Sequence, residues 1–360
     1  MKNYIYCAFL LIFLSCANVI PPNGGPKDLS PPIVLKLEPE NNSINFQGNM
    51  INIHFNENVI LQNTTEVYAF PESNLIKKIN STGKTIEVIL KKELRQNTTY
   101  VITFNGVIQD LNEGNVLNSL KYTFSTGELI DSAFVYGQVI NIRTNGPIKN
   151  SLVGLYSGDV SKDFDSIVRS QKPDFFSFTN SIGKYSCSNL KTGLYTLFSV
   201  KDENLNLTHE INEMISMPTV IELKDSIQKT IEIFLDKRAE AVIKNDSILL
   251  DQDSLILNKQ AEYGLLKLLF DPNIYMNKNN FGQITKNQEI IKSFYIADSI
   301  VLIEKIEAGI YQLQIVSDLN GNKKWDSGNI KTLHEPEKIY FFPDSIKIRP
   351  NWELNLTIKK

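Results

Sequence analysis

The stretch "NMINIHFNENVIL", residues 49–61, decides how this chain folds. Ile51, Ile53 and Phe55 alternate with Asn52, His54 and Asn56, so apolar side chains face one way and polar ones the other. That is the pattern of a half-buried strand. The same period of two returns in "KTIEVIL" (84–90), "TTYVITFNGVI" (98–108) and "LKYTFST" (120–126), separated by the turn clusters "NSTG" and "DLNEGN". Short strands at this spacing predict a β-sandwich, and the whole chain reads as all-β, a tandem of sandwich modules.

The first module carries a resemblance. "PPIVLKLEPENNS", "INIHFNENV", "TTYVITFNGVIQDLNEGN" and "YTFSTG" together are similar to the bacterial Ig-like domain of the kind first described in S-layer proteins, over residues 31–127. The resemblance implies a fold and no reaction, since such domains serve as spacers, adhesion modules or binding modules. A second module, 130–236, contains "FVYGQVINIRTNGPIKNSLVGLY" and "GKYSCSNLKTGLYTLFSVKD" and resembles transthyretin-like, carboxypeptidase-regulatory-like domains. Its residues support this independently: Gly146-Pro147 breaks two alternating runs, and Gly183 and Gly193 each sit before a strand where a tight turn needs no Cβ. Residues 237–263 are charged and alternating, and linker, edge strand and short helix all remain open for them. A third sandwich, 264–360, begins with "GLLKLLF".

The second and third modules share a repeat. Gly193, Tyr195, Asp202, Asn204, Asn206 and Glu210 align with Gly309, Tyr311, Asp318, Asn320, Asn322 and Asp326, every pair 116 residues apart. A strand running into an Asp/Asn loop therefore occurs twice.

The second of these loops, "DLNGNKKWDSGN" (318–329), has oxygens at the first, third, fifth and ninth positions of a calcium loop. An EF-hand is excluded, because Lys323 replaces the central Gly, Asn329 replaces the final Glu, and a strand precedes the loop. Two readings stand. Asp318, Asn320, Asn322 and Asp326 with the Lys324 carbonyl would hold Ca²⁺, or the Asp and Asn side chains simply build turns, with Trp325 as a lid on the sandwich end.

The chain starts "MKNYIYCAFLLIFLSC", with an apolar run from Ala8 to Leu14 that is too short to span a bilayer, which takes about 20 residues, but suits a signal peptide over 1–15. "FLSC" resembles the lipobox of bacterial lipoproteins, apart from Phe13 at the usual Leu position, and this implies lipidation of Cys16 and a membrane anchor. Residues 16–30, rich in Pro and Gly, read as a tether. Ala17 and Asn18 lack the acidic residues that favour surface export in lipoproteins of one Gram-negative phylum, so the expectation is the outer membrane, periplasmic face. "DLNGNKKWDSGN", "EPEKIYFF" and "RPNWELNL" resemble the C-terminal region of Ig-like-domain lipoproteins from the same phylum. Cys7 would leave with the signal and Cys16 would carry the lipid, so Cys187 would be the one free thiol and no intramolecular disulfide is expected.

Thirty-seven basic against 40 acidic residues, with no basic stripe, argue against nucleic acid. Seven Asp-Ser-apolar triplets, where composition would give roughly one or two, resemble the O-glycosylation sequon of that phylum, with Ser132, Ser166, Ser226, Ser247, Ser254, Ser299 and Ser345 as acceptors. The alternative is that each Asp-Ser makes a turn and the next residue starts a strand. Both readings put these serines at the surface.

His54, His209 and His334 all have polar neighbours in sequence, and neither "HEINE" nor "HEPE" has metalloprotease spacing. "STGKT" (81–85) lacks the first Gly of a phosphate loop and reads as a hairpin turn. The expected function is therefore non-enzymatic: a structural or protein-interaction module of the cell envelope with an unknown protein partner. The alternative is a carbohydrate-binding lipoprotein, with Trp325 and Trp352 as exposed stacking platforms.

Overall fold

The computed structural model describes residues 27–236, 262–272 and 279–359. Within them the chain is built almost wholly from strands.

The first module has eight: β1 (Val34–Glu38), β2 (Met50–Phe55), β3 (Val59–Leu61), β4 (Val67–Phe70), β5 (Ile76–Thr82), β6 (Thr85–Leu90), β7 (Thr99–Asp110) and β8 (Val116–Ser125). One sheet runs β1-β2-β6-β5; in the other, β7 pairs with β3, β4 and β8. The decisive stretch crosses between them, since β2 belongs to the first sheet and β3 to the second. Ile51, Ile53 and Phe55 are buried as the alternation requires and pack with Tyr100, Ile102, Phe104 and Phe124 of the facing sheet. Each such apolar side chain contributes roughly 1.5–3 kcal/mol by leaving water. "STGKT" is the β5–β6 hairpin, with Gly83 at φ 59°, a left-handed conformation that suits Gly.

The second module comprises β9 (Ala133–Asn141), β10 (Leu152–Ser157), the helix α1 (Phe164–Ser170), β11 (Phe175–Phe178), β12 (Lys184–Leu190), β13 (Gly193–Val200), β14 (Met214–Ser216), β15 (Thr219–Leu223) and β16 (Ser226–Leu235). A single sheet runs β11-β10-β13-β14-β16-β9-β12, with β15 added against β13. It curls so far that its two ends, β11 and β12, touch without hydrogen bonding as neighbours. Val153, Leu155, Tyr195, Leu197 and Ile233 fill its concave core. Tyr156, Phe198, Val200 and Phe234 lie in a separate cluster with Phe164 and Val168 of α1.

The third module contains β17 (Tyr263–Phe270), β18 (Asn280–Lys286), β19 (Glu289–Tyr295), β20 (Ile300–Glu307), β21 (Gly309–Ser317), β22 (Ile339–Phe341), β23 (Ile346–Ile348) and β24 (Glu353–Ile358). A β20-β17-β24 sheet faces one in which β21 pairs with β18, β22 and β23, and β19 forms an edge. The core between them includes Leu266, Leu268, Ile284, Tyr311 and Leu313. Tyr263 already belongs to β17, so the segment expected to end at 263 gives way to the third module slightly earlier; residues 237–261 lie outside the described residues.

The repeat seen in sequence is also a repeat in space. In both later modules the last strand pairs in parallel with the first, β16 with β9 and β24 with β17. Tyr195 and Tyr311 each donate their hydroxyl to the carbonyl four residues back, Lys191 and Glu307, at 2.8 Å.

Candidate functional site

An exposed loop leaves its backbone N–H groups without ladder partners, and here the side chains of the loop supply them. β21 delivers Asp318, only 3% exposed, to the strand end. Its Oδ1 accepts from the N–H of Gly321 (2.6 Å) and Asn322 (3.2 Å), and its Oδ2 from Lys323 (2.7 Å). Asn320 Oδ1 accepts from Asn322 N–H and Asn322 Oδ1 from Lys324 N–H, while both amide groups donate to Asp326 Oδ2. A residue outside the motif closes the loop. Glu337, 1% exposed, accepts from Leu319 N–H (2.7 Å) with one carboxylate oxygen and from Asp326 N–H (3.0 Å) with the other.

The earlier copy repeats this arrangement with one fewer N–H on its leading Asp. Asp202 accepts from Asn206 and Leu207 N–H; Asn204 and Asn206 cap the residues two further on and donate to Glu210 Oε1. Glu213 takes the place of Glu337, accepting from Glu203 and Glu210 N–H at 2.9 Å each. Left-handed backbone falls at the same two places, Leu205 and Leu207 in one loop and Gly321 and Lys323 in the other. Burial pushes the Glu213 carboxyl up; the two N–H donors oppose this, and the charges of Asp202 and Glu210 add to it. Sequence alignment missed both bracing glutamates because one follows its Asp by 11 residues and the other by 19.

His209 departs from its reading as a residue in polar surroundings. It is 2% exposed, its Nε2 lies 3.2 Å from the Glu213 carbonyl, and its Nδ1 has no hydrogen-bond partner among the described residues. Burial, reinforced by the Arg169 charge, lowers its pKa to about 4. His54, on the outer face of β2, contacts Thr85 Oγ1 and Glu38 Oε2 at 3.1 Å each, and His334 is exposed.

The 318–338 loop also fastens the third module to the second. Trp325 is half-buried rather than an exposed platform: its Nε1 donates to the Glu337 carbonyl (2.8 Å), the Arg143 guanidinium lies 5.1 Å from its ring centroid, and it packs on the Phe198 and Phe234 cluster. Ile330, 1% exposed, belongs to that cluster, and its N–H donates to Asp236 Oδ2 (3.1 Å). Ser327 Oγ donates to the Leu235 carbonyl. Gly328 lies so close to the Phe234 ring that an added Cβ would come within 2.6 Å of it. Trp352 is 65% exposed, with Arg349 beside it.

Among the serines of the Asp-Ser triplets, Ser132, Ser226 and Ser345 are exposed and Ser299 is half-buried. Ser226 opens β16, and the other three immediately precede β9, β20 and β23. Ser166 differs, lying exposed on α1, where Asp165 pairs with Arg169 one turn later at 2.9 Å. Ser247, Ser254 and Cys16 lie outside the described residues. A third acidic group was not singled out from sequence: Glu57, Asp110 and Glu113 bring carboxylate oxygens within 4.8 Å of one another at the "DLNEGN" turn. Burial acts to raise the Asp110 pKa, but N–H donors from Glu113, Gly114 and Asn115 outweigh it and hold the carboxyl below its usual range. Among the described residues no helix is long and apolar enough to cross a membrane.

Residues 28–126 match the Bacterial Ig-like domain family Big_5, in agreement with the resemblance and with nearly the same boundaries. No curated protein matches the chain. Among solved structures, the chain is similar to the Bacillus anthracis TIE protein, at 9% identity and a TM-score of 0.19, with 94% of this chain and 59% of that one covered. This chain thus corresponds to well under two thirds of that protein's length. It is also similar to GBS52, the minor pilin of Streptococcus agalactiae (15% identity, TM-score 0.22, 63% and 94% covered). A third similarity is to BcpA, the major pilin subunit of Bacillus cereus (10% identity, TM-score 0.19, 57% and 71% covered). Scores at this level carry no statement about activity.

Three outcomes follow from the loops. The His209 pKa is depressed relative to the unfolded chain, so its contribution to stability is fully present above pH 6.5 and is lost as pH falls from 6.5 towards 4. This is a loss of about 3 kcal/mol at about 1.4 kcal/mol per unit. Urea unfolding at stepped pH should show that slope in the wild type and a flatter one in His209→Gln. Ile330→Ala should lower the stability of the joined second and third modules by about 2–4 kcal/mol through the cavity it leaves. Gly328→Ala should also destabilise by forcing Phe234 aside, and both are read by denaturant unfolding.

Proposed function

We propose that this chain is a non-enzymatic cell-envelope protein, tethered to the outer membrane by a lipid on Cys16, whose three β-modules brace another envelope component. The observation that supports it best is that the modules are fastened to one another. Tyr68 and Phe70 of the first pack on Phe175 and Phe176 of the second with ring centroids 4.9–6.2 Å apart, and Trp325 and Ile330 of the third seat on the second. Such junctions suit a spacer that must hold an orientation. The match to the bacterial Ig-like family points the same way without naming a partner. The carbohydrate-binding alternative loses one of its two platforms with the half-burial of Trp325, and Trp352 remains.

In the same proposal the 318–326 loop takes Ca²⁺. The donor set suits a hard cation, with carboxylates from Asp318 and Asp326, amide oxygens from Asn320 and Asn322, and the Lys324 carbonyl. The Asn320 and Asn322 amide N–H groups now facing Asp326 would have to turn away.

Two measurements test this. In cells fed an alkyne-tagged fatty acid, the wild type should take up the label and Cys16→Ser should not; an unlabelled wild type would refute the lipid anchor. The melting temperature should rise by several degrees in millimolar Ca²⁺ over EGTA, since a site saturated a hundredfold adds about 2.7 kcal/mol. Overlaid curves, or a rise that persists in Asp318→Ala, would leave the loop as a set of turns.

A further inference from the structure

A cleft of about 300 Å³ lies where the first and second modules meet. Its floor is set by register: Tyr68 on β4, Thr103 on β7 and Lys121 on β8 are cross-strand partners in one row. Facing them is the seam of the second module, where the ends of the curled sheet meet and contribute Phe175, Phe176 and Phe178 from β11 and Ser186 and Ser188 from β12. The lining is two-sided. Rings of Tyr68, Phe70 and Phe176 meet edge to face at 4.9 Å and make an apolar wall, while hydroxyls and one ammonium gather on the other side.

Lys121 is the unusual member. Its Nζ donates to Ser188 Oγ (2.7 Å) and Asn189 Oδ1 (2.6 Å), both neutral, which leaves one N–H without a partner among the described residues. The Asn189 amide is fixed in that sense because its Nδ2 donates to the Asp131 carbonyl (3.0 Å). No described carboxylate pairs with this lysine, although the chain carries more acidic than basic residues. The side chain is exposed overall, yet surrounding atoms desolvate the ammonium enough to lower its pKa. A partly desolvated ammonium that has only neutral acceptors has a charge left to be matched, and an anion that joins it gains a charge-assisted hydrogen bond.

We infer that this cleft binds a small organic monoanion, a carboxylate carried on a single apolar or aromatic ring. Its carboxylate accepts from Lys121 Nζ and the Ser188 hydroxyl, and its ring lies against Phe176 and Phe178. The volume stands at the lower end for ligand sites, which suits one ring and excludes an oligosaccharide. One ammonium, with no arginine in the lining, matches a single negative charge better than a phosphate. The inference is independent of the lipid anchor and of the calcium loop.

Titration calorimetry of the full-length protein with 3-phenylpropionate, its neutral amide and acetate provides the test. Saturable binding of phenylpropionate is expected, at least tenfold tighter than either control. Lys121→Gln should weaken it tenfold or more, Lys121→Arg should largely preserve it, and Phe178→Ala should weaken it; unchanged melting curves would show that each variant is folded. No saturation at millimolar phenylpropionate would overturn the inference, as would an amide that binds as well as the acid. Equal binding by Lys121→Gln would do the same.

Discussion

Backbone N–H groups that leave a sheet must find acceptors, and in this chain the long loops between strands depend on carboxylates to provide them. Asp318 gathers three N–H groups at the end of β21, and Glu337, reaching in from the far end of the loop, ties Leu319 to Asp326. With the loop fixed in this way, Trp325, Ser327 and Ile330 are presented to the second module as one surface. The same chemistry at Asp202 and Glu213 shapes the second module's own loop, and it seats His209 in the interior. An acid whose hydrogen bonds organise a loop has consequences well beyond its neighbours.

Elsewhere the fold rests on packing. The described cysteine, Cys187, is buried, and burial pushes its thiol up to about 12, so it behaves as a small apolar side chain and not as a nucleophile. Each module has its own apolar core, between two sheets in the first and third and inside one curled sheet in the second. A fourth cluster, shared between α1, the outer face of the second module's sheet and Ile330, is where two modules become one packed unit.

Features governed by period and turn chemistry were legible in the sequence. The alternation of Ile51, Ile53 and Phe55 predicted their burial, and the 116-residue repeat predicted two equivalent strand-to-loop units with closely matching hydrogen bonds. The unseen features all depend on contacts between distant segments. Glu213 and Glu337 lie at different distances from their loops, so no fixed spacing marks them. Trp325 looked exposed because its cover belongs to another module, and His209 looked polar because the burying surface includes α1, whose backbone accepts its N–H at Val168. "FDSIVRS" matched the Asp-Ser pattern that elsewhere precedes a strand, yet Phe164 and Val168, four apart, bury one face of a helix. The cleft at Lys121 could not be anticipated, since its members become neighbours only through strand register.

The parallel pairing of β9 with β16 and of β17 with β24 bears on how this chain would carry a load. When the first and last strands of a module run side by side in the same direction, the chain enters at one end of the pair and leaves at the other. A pull applied at the two chain ends of such a module therefore acts along the strands in opposite senses. Every hydrogen bond of the pair then resists at once, in shear, instead of opening one at a time as in a hairpin peeled from its free end. The second and third modules are both wired so that tension is met by whole ladders.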